Sequence, residues 1–293
     1  MDPEGGSALP EVGSSCVSLH YSEPSIIYDY AAAAGQFAQV NGVLAALVFA
    51  AFVFILERGS SFKETIPSTV ILLPVTFGVA VLSAYQYSII SSYLACETVA
   101  VLAILAGPSF SFVILAIVAS MATMFVEIQG ESGKSAFVVT VALFSATAAL
   151  TIGNVSITVQ DARATFSLEA SVPILLQHTL AGLSLGALVI LLFHLLVTRR
   201  YVSRVPCLKS MKGSTVVPLI AIATAALLLA SGVLFATVGV APDWASEESV
   251  RTVGEHLLRW GWTAPVLTGV LAGCLGAVIS WAYQQTPAHV DDR

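Results

Sequence analysis

The sequence predicts an all-α fold: a polytopic transmembrane helix bundle of about seven spans, N-outside and C-inside, with a short amphipathic helix lying in the membrane interface in the sixth loop. Three observations carry that expectation. Hydrophobic residues make up 57% of the chain and charged residues only 10%, against roughly 25% charged in a soluble domain. Charges are gathered into short clusters separated by long intervals that lack Asp, Glu, Lys and Arg. The basic residues fall preferentially on alternate loops, the signature of cytoplasmic segments.

The charge-free intervals run from Tyr30 to Leu56, Thr65 to Cys96, Thr98 to Val126, Ser135 to Gln160, Ala170 to Thr198, Gly213 to Pro242 and Trp260 to Val290. Each is long enough for a helical span, which needs about 20 residues. In hydrocarbon the backbone has to satisfy its own hydrogen bonds, so such runs are helical. They also lack the apolar/polar alternation of a membrane β-barrel.

The first span is apolar from Gly35 onward, and its Ala-rich start allows the helix to begin earlier. The second is expected over Ile66–Ser88. The third runs from about Tyr93 to Val126, bent at Pro108, which has no amide proton to donate. It is too long for one upright span, so its first turns, with Glu97, should stand outside the bilayer core; a re-entrant segment is the alternative. The fifth span ends at a cluster of Arg199, Arg200, Arg204, Lys209 and Lys212, five of the 12 Lys and Arg in the chain. In the loop after the sixth span, PDWASEESVRTVGEHLLRWGW, Asp243 or Ser246 can cap a helix. Val250, Val253, Leu257 and Leu258 share a face, and Trp244, Trp260 and Trp262 suit the headgroup level.

Placing the Arg199–Lys212 cluster in the cytoplasm divides the remaining charges consistently. Nine basic residues then lie inside and three outside, with net charge +3 inside and −9 outside, matching the total of −6. The expected organisation is an acidic, partly disordered extracytoplasmic tail over 1–34, a seven-helix domain over 35–285 and a short cytoplasmic tail over 286–293. Residues 1–28 contain no Lys or Arg and do not read as a signal peptide.

Several functions are disfavoured. The acidic balance does not suit nucleic acid. Cys16, Cys96, Cys207 and Cys274 form no CxxC pair, and the five histidines form no HExxH motif, so no metal is expected. The last span has no lysine for a retinal Schiff base. No cofactor signature or catalytic constellation is present, so an enzyme is the less favoured class.

Two sets of residues stand out. Gln36, Gln39, Asn41, Glu97 and His178 are polar groups assigned to the outer half, with Tyr85, Gln86 and Tyr87 near them. An ionisable group within a span is a functional hypothesis by default, and Glu97 beside His178 is expected to form one outward-open site. Gly182 and Gly186, and Gly269 and Gly273, make two GxxxG faces that allow helices to approach closely. The expected function is a channel or transporter for a small ion or solute in the plasma membrane. The alternative is a non-catalytic interaction or sensing component that binds partner proteins or anionic lipid. Expected partners are the lipid bilayer and either a second copy of the chain or another membrane protein.

Overall fold

The computed structural model describes residues 30–57, 67–93, 96–127, 131–166, 168, 172–198 and 247–285. The predicted sixth span (Gly213–Pro242), the basic loop with Arg199, Arg200, Arg204, Lys209 and Lys212, the tail before Tyr30 and the last eight residues lie outside these. The described residues form helices α1 (Tyr30–Glu57), α2 (Pro67–Ile90), α3 (Cys96–Glu127), α4 (Glu131–Thr165), α5 (Val172–Thr198), α6 (Glu247–Arg259) and α7 (Thr263–Gln285). All but α6 are long and apolar enough to cross a membrane, so the chain is a multi-pass membrane protein.

Helix α1 starts at Tyr30, so residues 30–34 belong to the helix rather than to the tail. Helix α3 is one continuous helix with Pro108 inside it, not a re-entrant segment. Its 32 residues reach about 48 Å at 1.5 Å per residue, so its ends extend past a hydrocarbon core of about 30 Å.

Helix α3 is the central post. Val99, Leu102, Val113, Leu115, Ala116, Ala119 and Ala122 are wholly buried, and α3 packs against α1, α2, α4, α6 and α7. Its alanines let neighbouring helices approach closely, which substitutes for the hydrophobic drive that lipid removes. The largest core cluster joins Phe112, Leu115 and Ala119 of α3 to Leu72 and Val79 of α2, Phe144 of α4, and Leu271, Leu275 and Ile279 of α7.

Contacts fix the directions of the helices. Asn41 meets Ser83 and Phe37 meets Tyr87, so α1 and α2 are antiparallel. Thr69 meets Thr123 through a 3.0 Å hydroxyl contact and Tyr87 meets Phe110, so α2 and α3 are antiparallel. Helix α7 runs parallel to α3, because Ala100 clusters with Ala264 at one end and Val126 with Val278 and Ala282 at the other. It also runs parallel to α5: Gly182 lies against Pro265, Gly186 against Gly269, and Ile190 against Gly276. The N-termini of α1, α3, α5 and α7 therefore share one end of the bundle, called here the Glu97 end.

Helix α6 lies across that end. Leu258 is completely buried among Val101 and Ile104 of α3, Val155 and Val159 of α4, and Phe166 just past the end of α4. Arg163 donates from Nη1 to the Leu258 carbonyl at 3.2 Å, satisfying a carbonyl at the helix C-terminus, where positive charge is favoured. A tight turn leads into α7, with Gly261 N–H donating to the Leu258 carbonyl at 3.1 Å. Trp260 and Trp262 stay exposed beside it.

Candidate functional site

Between the apolar layers of α1, α2 and α3 lies a polar one. Asn41 is fully buried and its Nδ2 donates to Ser83 Oγ at 3.1 Å, while its Oδ1 has no hydrogen-bond partner. The Thr69–Thr123 register, carried fourteen residues along each helix, sets Ser109 level with Ser83. Ser109 Oγ is also buried and unpartnered. One turn beyond Ser83 stands Gln86, 1% exposed, with neither its Oε1 nor its Nε2 hydrogen-bonded. An amide withdrawn from water without a partner costs roughly 2–7 kcal/mol.

Toward the Glu97 end, a crevice of about 210 Å³ opens between α1, α2, α3 and α4. One wall is aromatic. Phe37, Tyr87 and Phe110 come from three helices, with ring centroids 5.0–6.0 Å apart. The facing wall is Asn154, Thr158 and Asp161 of α4, whose spacings of four and three put them on one stripe. Val99, Ala103 and Gly107 of α3 also line it.

A second cleft, of about 420 Å³, lies between α4, α5 and α7. Its lining is apolar apart from Ser145, Ser280 and Tyr283, and it includes Gly186 and Gly273. Above it the glycines bring α5 and α7 into backbone contact. A Cβ on Gly182 would meet the Pro265 carbonyl oxygen at 2.6 Å, and one on Gly273 would meet the Gly186 carbonyl oxygen at 2.8 Å. His178 sits one turn before Gly182 with its Nδ1 buried and unpartnered. Gln160 of α4 is likewise buried, with both amide atoms unpartnered.

The chain matches no known protein-family model, no curated protein and no solved structure.

The five polar residues expected to act together are dispersed. Asn41 faces Ser83 inside the bundle, whereas Gln36 and Gln39 are exposed, on the face that also carries Val40, Val43 and Leu47. At 100° per residue, Gln39 and Asn41 point in nearly opposite directions. Glu97 occupies the first turn of α3, where a carboxylate is favoured by the helix dipole. The charge whose field reaches His178 is that of Arg163, and neither Glu97 nor His178 lines either cavity. Among the described residues no three His, Cys, Asp or Glu side chains come together in a way that could hold a metal ion.

The crevice wall was missed in the sequence. Its signal was Asn154-x-x-x-Thr158-x-x-Asp161, three polar side chains at helical spacing near the end of the fourth span. Ending that span at Gln160 assigned Asp161 to a loop, whereas α4 continues to Thr165.

Proposed function

We propose that the protein is a channel or transporter for a small ion or solute, seated in the plasma membrane with seven spans, its N-terminus outside and its C-terminus inside. The observation that carries the transport reading is Gln86, an amide 1% exposed and without a partner in a layer shared with Asn41 and Ser109. Polar groups held unsatisfied within a bundle are available to replace part of a solute's hydration as it enters. The parallel run of α5 and α7 supports the seventh span, because two parallel helices need a returning crossing between them. Gly213–Pro242 is the uncharged stretch of sufficient length in that interval. The unequal division of basic residues supports the orientation.

Two measurements on the full chain and a Gln86→Leu variant test this reading. In proteoliposomes, concentration jumps of sodium, potassium, protons or choline should give currents or flux with the wild type that Gln86→Leu loses. Thermal stability in detergent should stay equal or rise, since an unpaired amide is replaced by an apolar group of similar size. Absence of wild-type flux with every probe overturns the reading. So does full flux in Gln86→Leu.

A further inference from the structure

We infer that the cleft between α4, α5 and α7 binds one acyl chain of a membrane phospholipid, taken from the leaflet at the end of the bundle opposite Glu97.

The depth of the cleft is that of one leaflet. Its inner end is closed where α4 and α5 touch: a Cβ on Gly182 would stand 2.9 Å from an Ile152 methyl. Ile152 and Gly182 lie near the middle of their spans, Ser135–Thr165 and Pro173–Leu192, so this end falls close to the bilayer midplane. From there the lining runs along α4 to Phe137 and along α7 to Ser280 and Tyr283. Ser280 is the last residue of its span. At 1.5 Å per residue, Ile152 to Phe137 covers about 22 Å. A leaflet measures about 15 Å of hydrocarbon and about 20 Å with its headgroup layer.

Polarity along the cleft follows that of a lipid. Most of the lining is apolar, and no charged residue or histidine contributes to it. Ser145 spends its proton on the Val141 backbone carbonyl at 3.0 Å. The hydroxyls of Ser280 and Tyr283 stand at the outer end, the level of the ester carbonyls of a phospholipid, which can accept from them. Tyrosine is at home at that level. Phe137 and Tyr283 stack there, with centroids 5.3 Å apart and planes 9° from parallel, and join α4 to α7.

The floor of the cleft is buried at Ala272, Gly273 and Ile279, whereas Ser145 and Ile190 on its rim are exposed. At this depth in a multi-pass membrane protein the surrounding medium is hydrocarbon, so the rim opens onto lipid. Some 420 Å³ left empty would deprive the walls of dispersion contacts. The slot is narrow: a Cβ on Gly276 would stand 2.8 Å from Ile190 and 3.7 Å from Phe144, so both walls come within one side chain of the floor. That width passes a flexible chain and not a fused-ring plate. Gln86 is not part of this cleft, and the binding does not depend on the transport reading.

The test titrates the full chain in maltoside detergent with phosphatidylcholine whose acyl chain carries a photoreactive diazirine, placed either near the terminal methyl or near the ester. Peptide mass spectrometry locates the label. Labelling in the cleft should saturate, with the terminal-methyl probe around Ile152 and Leu183 and the ester-side probe around Val141 and Ser280. Ala187→Phe fills the cleft from an exposed position on its rim. It should reduce labelling at Ile152 by at least about tenfold, the loss expected when roughly two methylenes are displaced. Leu188→Phe adds bulk at an exposed position outside the lining and should leave labelling unchanged. Ser145→Phe is a second plug, from the opposite wall, should Ala187→Phe fail to fold; thermal stability distinguishes lost binding from lost fold. Labelling that never saturates, or that falls equally on all outward helix faces, reduces the cleft to ordinary lipid contact and overturns the proposal. So do wild-type labelling in a folded plug variant, a reversed order of the two probes, and displacement by cholesteryl hemisuccinate but not by unlabelled phosphatidylcholine. Absence of label from the cleft of the folded wild type shows that protein already fills it and overturns the proposal as well.

Discussion

Gly186 lies so close to Gly269 that a Cβ on Gly186 would stand 2.7 Å from the Gly269 carbonyl oxygen. Nothing larger than hydrogen fits between α5 and α7 at this level. The atom in the way is backbone, which cannot swing aside as a side-chain end would. The same relationship repeats a turn away in each direction, at Gly182 with Pro265 and at Gly273 with Gly186.

Replacing Gly186 with Leu is therefore expected to destabilise the bundle by about 1–3 kcal/mol, the usual range for overpacking. Gly42 and Gly78 provide controls, because a Cβ at either meets nothing within 4 Å. Alanine there should leave stability unchanged or raise it slightly, since alanine is the better helix former. Thermal denaturation in detergent measures both. A Gly186→Leu protein that melts with the wild type would remove the close crossing.

The Asn41–Ser83 hydrogen bond joins α1 to the bundle in its buried polar layer. Side-chain hydrogen bonds between membrane helices average about 0.6 kcal/mol in double-mutant cycles. A cycle of Asn41→Ala and Ser83→Ala should give a coupling of that order. Strict additivity would show that the two groups do not act on each other.

Arg163 should hold α6 in place. Its hydrogen bond to the Leu258 carbonyl is charge-assisted and partly buried, so removing it is expected to cost about 1.5–3 kcal/mol. In Arg163→Gln, amide hydrogen exchange should quicken over Glu247–Arg259 and remain unchanged in the middle of α3. Uniform acceleration throughout the chain would mean that Arg163 supports the whole bundle rather than this helix.

Six of the expected spans fall on helices long and apolar enough to cross a membrane, and they were legible because hydrocarbon admits few alternatives. A long charge-free run has to be a helix, and the second span, expected over Ile66–Ser88, is observed over Pro67–Ile90. A helix stands at Glu247–Arg259, where the spacing of Val250, Val253, Leu257 and Leu258 predicted one, and Leu258 is buried. The sites were less legible, since they depend on which helices lie side by side. Phe37, Tyr87 and Phe110 are far apart in the chain, and no local pattern announces that they meet. Gln36, Gln39 and Asn41 misled in the opposite way. Adjacent in sequence, they looked like one group, yet helical rotation sends Asn41 inward and Gln39 outward. Glu97 and His178 both lie near the N-terminal ends of their helices, but depth along a helix says nothing about lateral distance.

Orientation and the seventh crossing can be tested together by cysteine accessibility. If Gly213–Pro242 is the proposed seventh crossing, positions on either side of it should face opposite compartments. Cys207 lies before this stretch and Asp243 immediately after it. In a background with Cys96 and Cys274 replaced by serine, Cys16 should react with an impermeant maleimide in intact cells. Cys207 should react only after the cells are permeabilised. Adding Asp243→Cys should create a second outward-reactive position. Reaction of Cys207 in intact cells would invert the charge-based orientation. If positions 207 and 243 instead behave alike, no crossing joins α5 to α7, and the parallel packing of their glycines would need a different chain path.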